Sequence, residues 1–139
     1  MVVFTNSQPD KDEYRKFRIK TVQGSDDFAM LAEVLRRRFA RSLPPTSSSA
    51  FWPLPDLILI DGGKGQVSAV SRIMGEYGFK IPIIGLVKGP ERKRNDLIGT
   101  IPKGLKVDMP TLIKVRDEAH RFAIAYHREL RKRLFFGEK

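Results

Sequence analysis

The stretch from Leu57 to Gly65 constrains the fold of this chain more than any other. Four apolar residues, Leu57 to Ile60, end at Asp61, and glycines dominate the turn that follows. A short continuous apolar run is typical of a strand covered on both faces, as in parallel sheets. Apolar residues at helical spacing follow over residues 66–77, and Gly78 is a stop signal. This strand–turn–helix unit predicts an α/β or α+β domain with a mixed sheet and packed helices.

The remaining patterns complete the order β-β-α-β-α-β-hairpin-α. At 139 residues, the chain fits one domain spanning residues 1–139. Residues 42–56 contain four prolines and are predicted to form a flexible loop. The other predicted elements are strands at 2–4 and 14–20 that pair as a hairpin, a helix beginning at 25–27, a strand at 81–87, a short hairpin of 96–101 with 104–107, and a long helix opening at Pro110.

The charge balance favours a polyanionic partner. The chain has 26 Lys and Arg against 16 Asp and Glu, a formal net charge of +10. Such an excess fits nucleic acid or an anionic membrane surface, although basic surfaces also serve solubility. The chain has no cysteine, which excludes disulfides and thiolate metal sites. No apolar run approaches the roughly 20 residues of a membrane span, so we expect a cytoplasmic protein.

Asp61 is the first candidate for chemistry. It follows a buried strand, at the sheet edge where ligands bind in open α/β folds. A carboxylate there suits Mg²⁺ or Mn²⁺, which prefer oxygen ligands. An ordinary turn or N-cap role fits the same position equally well. The glycines with Lys64 support a phosphate-binding loop only weakly, because Gly65 follows Lys64 where that motif needs Ser or Thr.

The final helix carries both histidines. His120 and His127 are seven residues apart, not the four that a shared zinc ion requires. Either histidine alone could serve as a general base. The alternative, which the residues alone favour, is a partly buried histidine tied to Asp117 or to a backbone carbonyl. Asp27 stands at a helix start, where capping is the default role.

Basic and aromatic residues add a possible nucleic-acid surface. The cluster Arg36–Arg38 and the loop from Lys88 to Arg94 are most often solvated faces, but taken together with Lys20 and the tail from Arg131 they could line a phosphate track. Tyr14, Trp52 and Tyr126 are candidates for stacking on a base, and the sequence does not choose among them.

Five ordered stretches resemble the C-terminal endonuclease domain of UvrC, a component of the bacterial UvrABC excinuclease. The resemblance covers nearly the whole chain. The stretches are Tyr14-Arg15-Lys16-Phe17, Asp26–Met30 running into Arg36–Phe39, Leu57–Gln66 with its Asp-Gly-Gly-Lys core, Gly85–Gly89, and Arg116–Ala123 with Tyr126-His127-Arg128.

The resemblance implies a ribonuclease H-like fold and a metal-dependent incision 5′ of a DNA lesion in nucleotide excision repair. Asp61 matches a catalytic, metal-binding Asp of the family, and His120 matches a catalytic His. Asp27 matches a further Asp that the family keeps. The expected cofactor is Mg²⁺ or Mn²⁺, and the expected partners are damaged double-stranded DNA and UvrB, with UvrA in the pathway. The residues expected to bind DNA are Lys64, Lys88, Arg92, Lys93, Arg94 and Arg121.

The family pattern also has a catalytic Asp on an opening strand, before the residues that match Val2-Val3-Phe4. This chain starts after that position, so we expect the first strand and a complete metal site to be missing. In a stricter version of the endonuclease hypothesis, the polypeptide is inactive by itself. The alternative is a non-catalytic basic fragment that binds DNA or docks on the UvrA–UvrB complex.

Overall fold

The computed structural model describes residues 1–16, 27–42, 53–88 and 95–136. The chain divides into two compact units, one of residues 1–18 with 106–139 and the other of residues 19–105. The single domain over residues 1–139 stays a prediction. The elements in chain order are β1 (Phe4–Thr5), β2 (Gln8–Pro9), a 3-10 turn (Lys11–Glu13), α1 (Asp27–Ala40), β3 (Ile58–Ile60), α2 (Lys64–Glu76), β4 (Ile83–Lys88), β5 (Asn95–Ile98) and α3 (Met109–Phe136).

A mixed sheet forms the centre of the unit of residues 19–105. Strand β3 runs parallel to β4, with Ile60 opposite Gly85, and β5 pairs antiparallel with β4. This confirms the mixed sheet that was predicted for an α/β fold. The predicted hairpin of 96–101 with 104–107 is wrong, because β5 uses β4 as its partner. An isolated two-stranded hairpin is marginal in water, whereas a third strand on an existing sheet is stable.

Helices α1 and α2 supply most of the apolar core beside this sheet. The buried side chains are Leu35, Phe39, Ile60, Val70, Ile73, Met74 and Ile81. Phe39 is 1% exposed. Its ring centroid lies 5.7 Å from that of Tyr77 and 5.5 Å from that of Phe79. Gly78, with φ of 72°, follows the end of α2. The predicted stop is confirmed, since this left-handed conformation favours glycine.

Arginines of α1 hold neighbouring parts of the same unit. Arg38 donates to Ser42 Oγ at 2.9 Å and to the Pro53 carbonyl at 2.6 Å. These bonds join the two ends of the predicted loop at 42–56, whose central residues 43–52 lie outside the described part of the chain. Arg36 contacts Glu76 of α2 at 3.2 Å. The Arg36–Arg38 cluster therefore makes local contacts, while Arg36 stays exposed, as expected for a solvated face.

The unit of residues 1–18 and 106–139 begins with a short hairpin. Strands β1 and β2 are joined by Asn6 and Ser7, with φ of 52° and 64°. Positive φ at both positions is the signature of a tight two-residue hairpin turn. The predicted pairing of 2–4 with 14–20 is therefore wrong for β1. Residues 14–16 are not a strand, and 17–20 lie outside the described residues. Just before the predicted first strand, Met1 and Arg15 exchange backbone hydrogen bonds of 3.0 and 3.2 Å.

Helix α3 starts as its sequence predicts. Asp108 accepts a hydrogen bond from the Thr111 amide at 3.0 Å, and Pro110 occupies the first turn. An aspartate at this position satisfies a backbone donor that has no partner inside the helix. Hydrogen bonds from Thr111, first from its side chain and then from its backbone amide, lower the pKa of Asp108 below its usual value. Across the described residues, no helix combines the length and apolarity needed to cross a membrane.

Candidate functional site

Asp61 lies in an exposed turn between β3 and α2. The N-cap residue of α2 is Gly63, not Asp61. Gln66, on the first turn of the helix, accepts a hydrogen bond from the Gly63 amide through Oε1 at 3.1 Å. Of the two roles that the sequence left open, N-capping of this helix is therefore taken by another residue. The exposed position of Asp61 at the carboxyl end of β3 is one that a ligand can reach.

The turn that carries Asp61 crosses directly over β4. A Cβ atom placed on Gly85 would lie 2.5 Å from the Gly62 carbonyl oxygen and 2.8 Å from Val67 Cγ2. A side chain cannot be accommodated at such distances unless the backbone shifts. Glycine at position 85 thus allows the turn to approach the sheet closely, and the sheet in turn fixes where Asp61 lies. The sequence showed the glycine but gave no sign of this contact.

Two predicted DNA-binding residues lie near the same end of this unit. Strands β3 and β4 are parallel, so their carboxyl ends meet at one edge of the sheet. Beyond Gly85, which faces Ile60, β4 continues to Lys88. Lys64 is exposed as the first residue of α2. Two cationic residues thus accompany Asp61 at this edge, whereas Arg92, Lys93 and Arg94 lie outside the described residues.

Asp27 is the first residue of α1, and the helix start is close to the Asp61 turn. A Cβ atom on Gly65 would lie 3.1 Å from Cζ of Phe28. The first turns of α1 and α2 are therefore in contact, which brings the backbone of Asp27 towards the segment that follows Asp61. Two of the three predicted catalytic residues thus belong to one end of one unit.

His120 belongs to the other unit, on α3. Its side chain is exposed, so the interpretation as a partly buried histidine is wrong. The neighbouring residue, Arg121, forms an ion pair with Glu118 through two of its guanidinium nitrogens, one of them at 3.1 Å. An exposed imidazole is accessible to a substrate, as a general acid or base must be.

The same unit contains an open groove of about 550 Å³ that sequence reasoning did not predict as a site. Arg121, Tyr14 and Tyr126 all line it, together with Lys11, Arg15, Lys16, Phe122, Ala125 and Glu129. Lys16 pairs with Glu129 at 2.6 Å and lies 5.5 Å from the centre of the Tyr126 ring. The motif Tyr14-Arg15-Lys16 was the one signal in the sequence for this groove. Its contact with α3 joins residues far apart in the chain, so the sequence did not show it.

A hydrogen bond connects this N-terminal segment to α3. The Tyr14 hydroxyl donates to Glu118 Oε2 at 2.7 Å, and the Tyr14 and Phe122 rings meet edge to face at 5.2 Å. Hydrogen bonds from Arg121 and then from Tyr14 lower the pKa of Glu118 to about 2. Burial and the hydrogen bond to Glu118 raise the pKa of Tyr14 to about 12.

The donor atoms at the Asp61 edge fit one mode of Mg²⁺ or Mn²⁺ binding. Among the described residues, no three His, Asp or Glu side chains come together as a closed metal cage. Mg²⁺, however, is commonly held by one or two carboxylates together with substrate phosphates. An exposed aspartate at a sheet edge that also carries cationic residues suits such an ion shared with a phosphodiester.

Comparison with known proteins identifies the family. Residues 1–124 match the model of the UvrC RNase H endonuclease domain. The chain is 43% identical over 95% of its length to UvrABC system protein C of Bacteroides fragilis, and covers 22% of that protein. It is 42% identical over its whole length to UvrABC system protein C of Streptococcus thermophilus, and covers 24% of it. The chain thus spans about a quarter of these relatives. Its mixed sheet with flanking helices agrees with a ribonuclease H-like fold, and the chain belongs to the family of UvrC RNase H endonuclease domains.

Proposed function

We propose that this chain is the part of a UvrC-type excinuclease protein that hydrolyses a DNA phosphodiester 5′ of a lesion. The observation that carries the proposal is the exposed Asp61 at the carboxyl edge of β3, in a turn held against Gly85. Membership of the UvrC RNase H endonuclease family supports the reaction type. The relatives' name, UvrABC system protein C, supports UvrB as a partner, with UvrA in the pathway and damaged double-stranded DNA as substrate.

In this proposal Asp61 holds Mg²⁺ or Mn²⁺ together with oxygens of the DNA. Such an ion, when bound, supplies Lewis-acid polarisation of the phosphate and lowers the pKa of a coordinated water. Asp61 fixes the position of the scissile phosphate at the sheet edge. Lys64 and Lys88 contribute positive charge at that edge and attract the DNA backbone without reading its sequence.

His120 is proposed as the proton-transfer group. Hydrolysis forms one bond between phosphorus and the oxygen of water and breaks one bond to a sugar oxygen. The imidazole takes the proton of the attacking water or delivers one to the leaving oxygen. Asp27 is proposed as a further catalytic carboxylate. Arg121, with Arg92, Lys93 and Arg94 of the predicted basic loop, is proposed to bind DNA backbone phosphates.

The test is incision of lesion-bearing duplex DNA in Mn²⁺, with and without UvrA and UvrB. We expect Asp61→Ala and His120→Ala to abolish cleavage. Asp56→Ala is a matched control, because Asp56 is an exposed carboxylate in the loop just before β3. Cleavage that survives Asp61→Ala would remove the proposed site. Salt-sensitive binding without cleavage by the wild-type chain would favour the non-catalytic DNA-binding alternative.

A further inference from the structure

One face of α3 carries cations over three helical turns. Arg121, Arg128, Arg131 and Lys132 are all exposed, and we call these four residues the basic ridge. Their spacing of three, four or seven residues, with Lys132 beside Arg131, places them along one side of the helix. His120, Ile124 and His127 are also exposed and lie on the same side. The opposite side carries Phe122, Tyr126 and Glu129, which line the groove against the N-terminal segment.

The basic ridge has an unbalanced positive charge. Arg121 is paired with Glu118. Arg128, Arg131 and Lys132 have no acidic partner within the described residues. Asp117 is the one exposed carboxylate on this side of α3 within residues 117–132, and it lies next to Arg116 at 3.4 Å. The ridge spans about 16 Å of helix, at about 1.5 Å per residue, and its three cations without an acidic partner repel one another unless an anion is present.

The spacing of the ridge matches a DNA strand. A length of about 16 Å corresponds to roughly five steps of a duplex strand, which rises about 3.4 Å per phosphate. Ile124 is 52% exposed at the middle of this side of the helix. A single exposed apolar residue is ordinary and does not define a protein interface. Charge complementarity therefore favours the sugar–phosphate backbone of DNA over a protein as the occupant of the ridge.

We infer that the basic ridge binds the DNA backbone along α3, starting beside His120 and extending towards the end of the helix. This inference rests on the proposed function, in which His120 acts at the scissile phosphate. It adds Arg128, and it gives Arg131 and Lys132 a defined place in the phosphate track that the sequence suggested for the tail from Arg131. The ridge holds DNA at sites separate from the bond that is cut, independently of base sequence.

The test is binding of a fluorescein-labelled duplex, measured by anisotropy in EDTA over a series of NaCl concentrations. The slope of log K against log [NaCl] is negative, and each phosphate contact contributes roughly 0.9 to its magnitude. We expect Arg128→Ala/Arg131→Ala/Lys132→Ala to reduce that magnitude by about 2–3. The matched control is Arg72→Ala/Lys80→Ala/Lys103→Ala, which removes three other exposed cations. It should change the slope by less than about 1. Arg128→Lys/Arg131→Lys/Lys132→Arg should keep the wild-type slope, because it keeps the charge.

Three outcomes would overturn the inference. They are an unchanged slope in the ridge variant, an equal loss in the control variant, and equally tight binding of polyglutamate at the same charge concentration. The last result would identify a surface for acidic proteins.

Because EDTA prevents metal-dependent cleavage, this assay is independent of the nuclease proposal. If the ridge variant loses salt dependence but the wild-type chain makes no incision in Mn²⁺, only the nuclease proposal is rejected. If the wild-type chain incises DNA but the ridge variant keeps the wild-type slope, only the ridge inference is rejected.

Discussion

The Tyr14 hydroxyl and the Glu118 carboxylate are the residue pair that ties the N-terminal segment to α3. We expect Tyr14→Phe to lower the free energy of unfolding by about 1 kcal/mol, because the carboxylate loses a donor in a partly buried position. Urea denaturation measures this loss. Tyr126→Phe is the control, since the Tyr126 hydroxyl has no hydrogen bond within the described residues and its ring still faces Lys16. Equal stability of Tyr14→Phe and the wild-type chain would contradict the assignment.

Gly85 controls the position of Asp61 through backbone contact. We expect Gly85→Ala to destabilise the chain by about 1–3 kcal/mol, because the added methyl meets the Gly62 carbonyl at 2.5 Å. Incision should fall as well, since the turn carrying Asp61 has to move. Thermal unfolding and the incision assay measure the two effects.

A second glycine in the same unit provides the control for that prediction. A Cβ atom on Gly75 would meet nothing within 4 Å. Because alanine favours the helix more than glycine does, Gly75→Ala should leave incision unchanged and raise stability by up to about 1 kcal/mol. If Gly85→Ala were tolerated as well as Gly75→Ala, the close approach of the turn to β4 would be wrong.

At the residue scale, sequence reasoning found Asp61 and missed what holds it. The apolar run and the glycines predicted a carboxylate at a sheet edge. They did not show that Gly63 caps α2, or that Gly85 is glycine because the turn passes above it. The second fact depends on the register between β3 and β4. That register is set by three-dimensional packing, and a local pattern does not contain it.

At the scale of elements, acid should loosen the link between the N-terminal segment and α3. The pKa of Glu118 is about 2, below its ordinary value of 4.5. The ionised carboxylate therefore stabilises the fold fully above pH 4.5, and this stabilisation is lost as the pH falls towards 2. We expect the wild-type chain to lose stability over this window. Glu118→Gln should lack that part of the loss, as measured by chemical denaturation at each pH. Parallel pH curves for the two proteins would contradict the assignment.

The helices were more predictable than the hairpins. Apolar residues recur at helical spacing along α3, and Leu112, Val115, Phe122 and Tyr126 among them are buried or half-buried, although Ala123 is exposed. A helix buries residues that are near one another in sequence, so its pattern is local. The partner of a strand is chosen by packing. The chain gave no local signal that β5 pairs with β4, or that Asn6 and Ser7 close the first hairpin early.

At the scale of the whole molecule, the cations behind the net charge of +10 differ in what they contact. Arginines of α1 are engaged in local contacts with Glu76, Glu33 and Pro53. In α3, Arg128, Arg131 and Lys132 are exposed. Overall charge predicted a polyanionic partner but not which cations serve it. Only the structure separates the arginines that hold the fold from those that can reach DNA.

The proposed catalytic residues belong to both units, with Asp27 and Asp61 in one and His120 in the other. Composition could not assign them, and the five motifs did so through family resemblance. The structure adds an exposed position for Asp61 and His120 and a shared edge for Asp61, Lys64 and Lys88. The central claim is that Asp61 is the metal-binding carboxylate of a phosphodiester-cleaving site.

A change of metal preference tests that claim most directly. The chain has no cysteine, so Asp61→Cys introduces its one thiol. Thiolates favour soft cations and are poor ligands for Mg²⁺. We predict that Asp61→Cys incises lesion-bearing DNA at least about 100-fold more slowly than the wild-type chain in Mg²⁺, and that Cd²⁺ restores incision. Asp56→Cys should behave as the wild-type chain in Mg²⁺. Full activity of Asp61→Cys in Mg²⁺ would contradict the account.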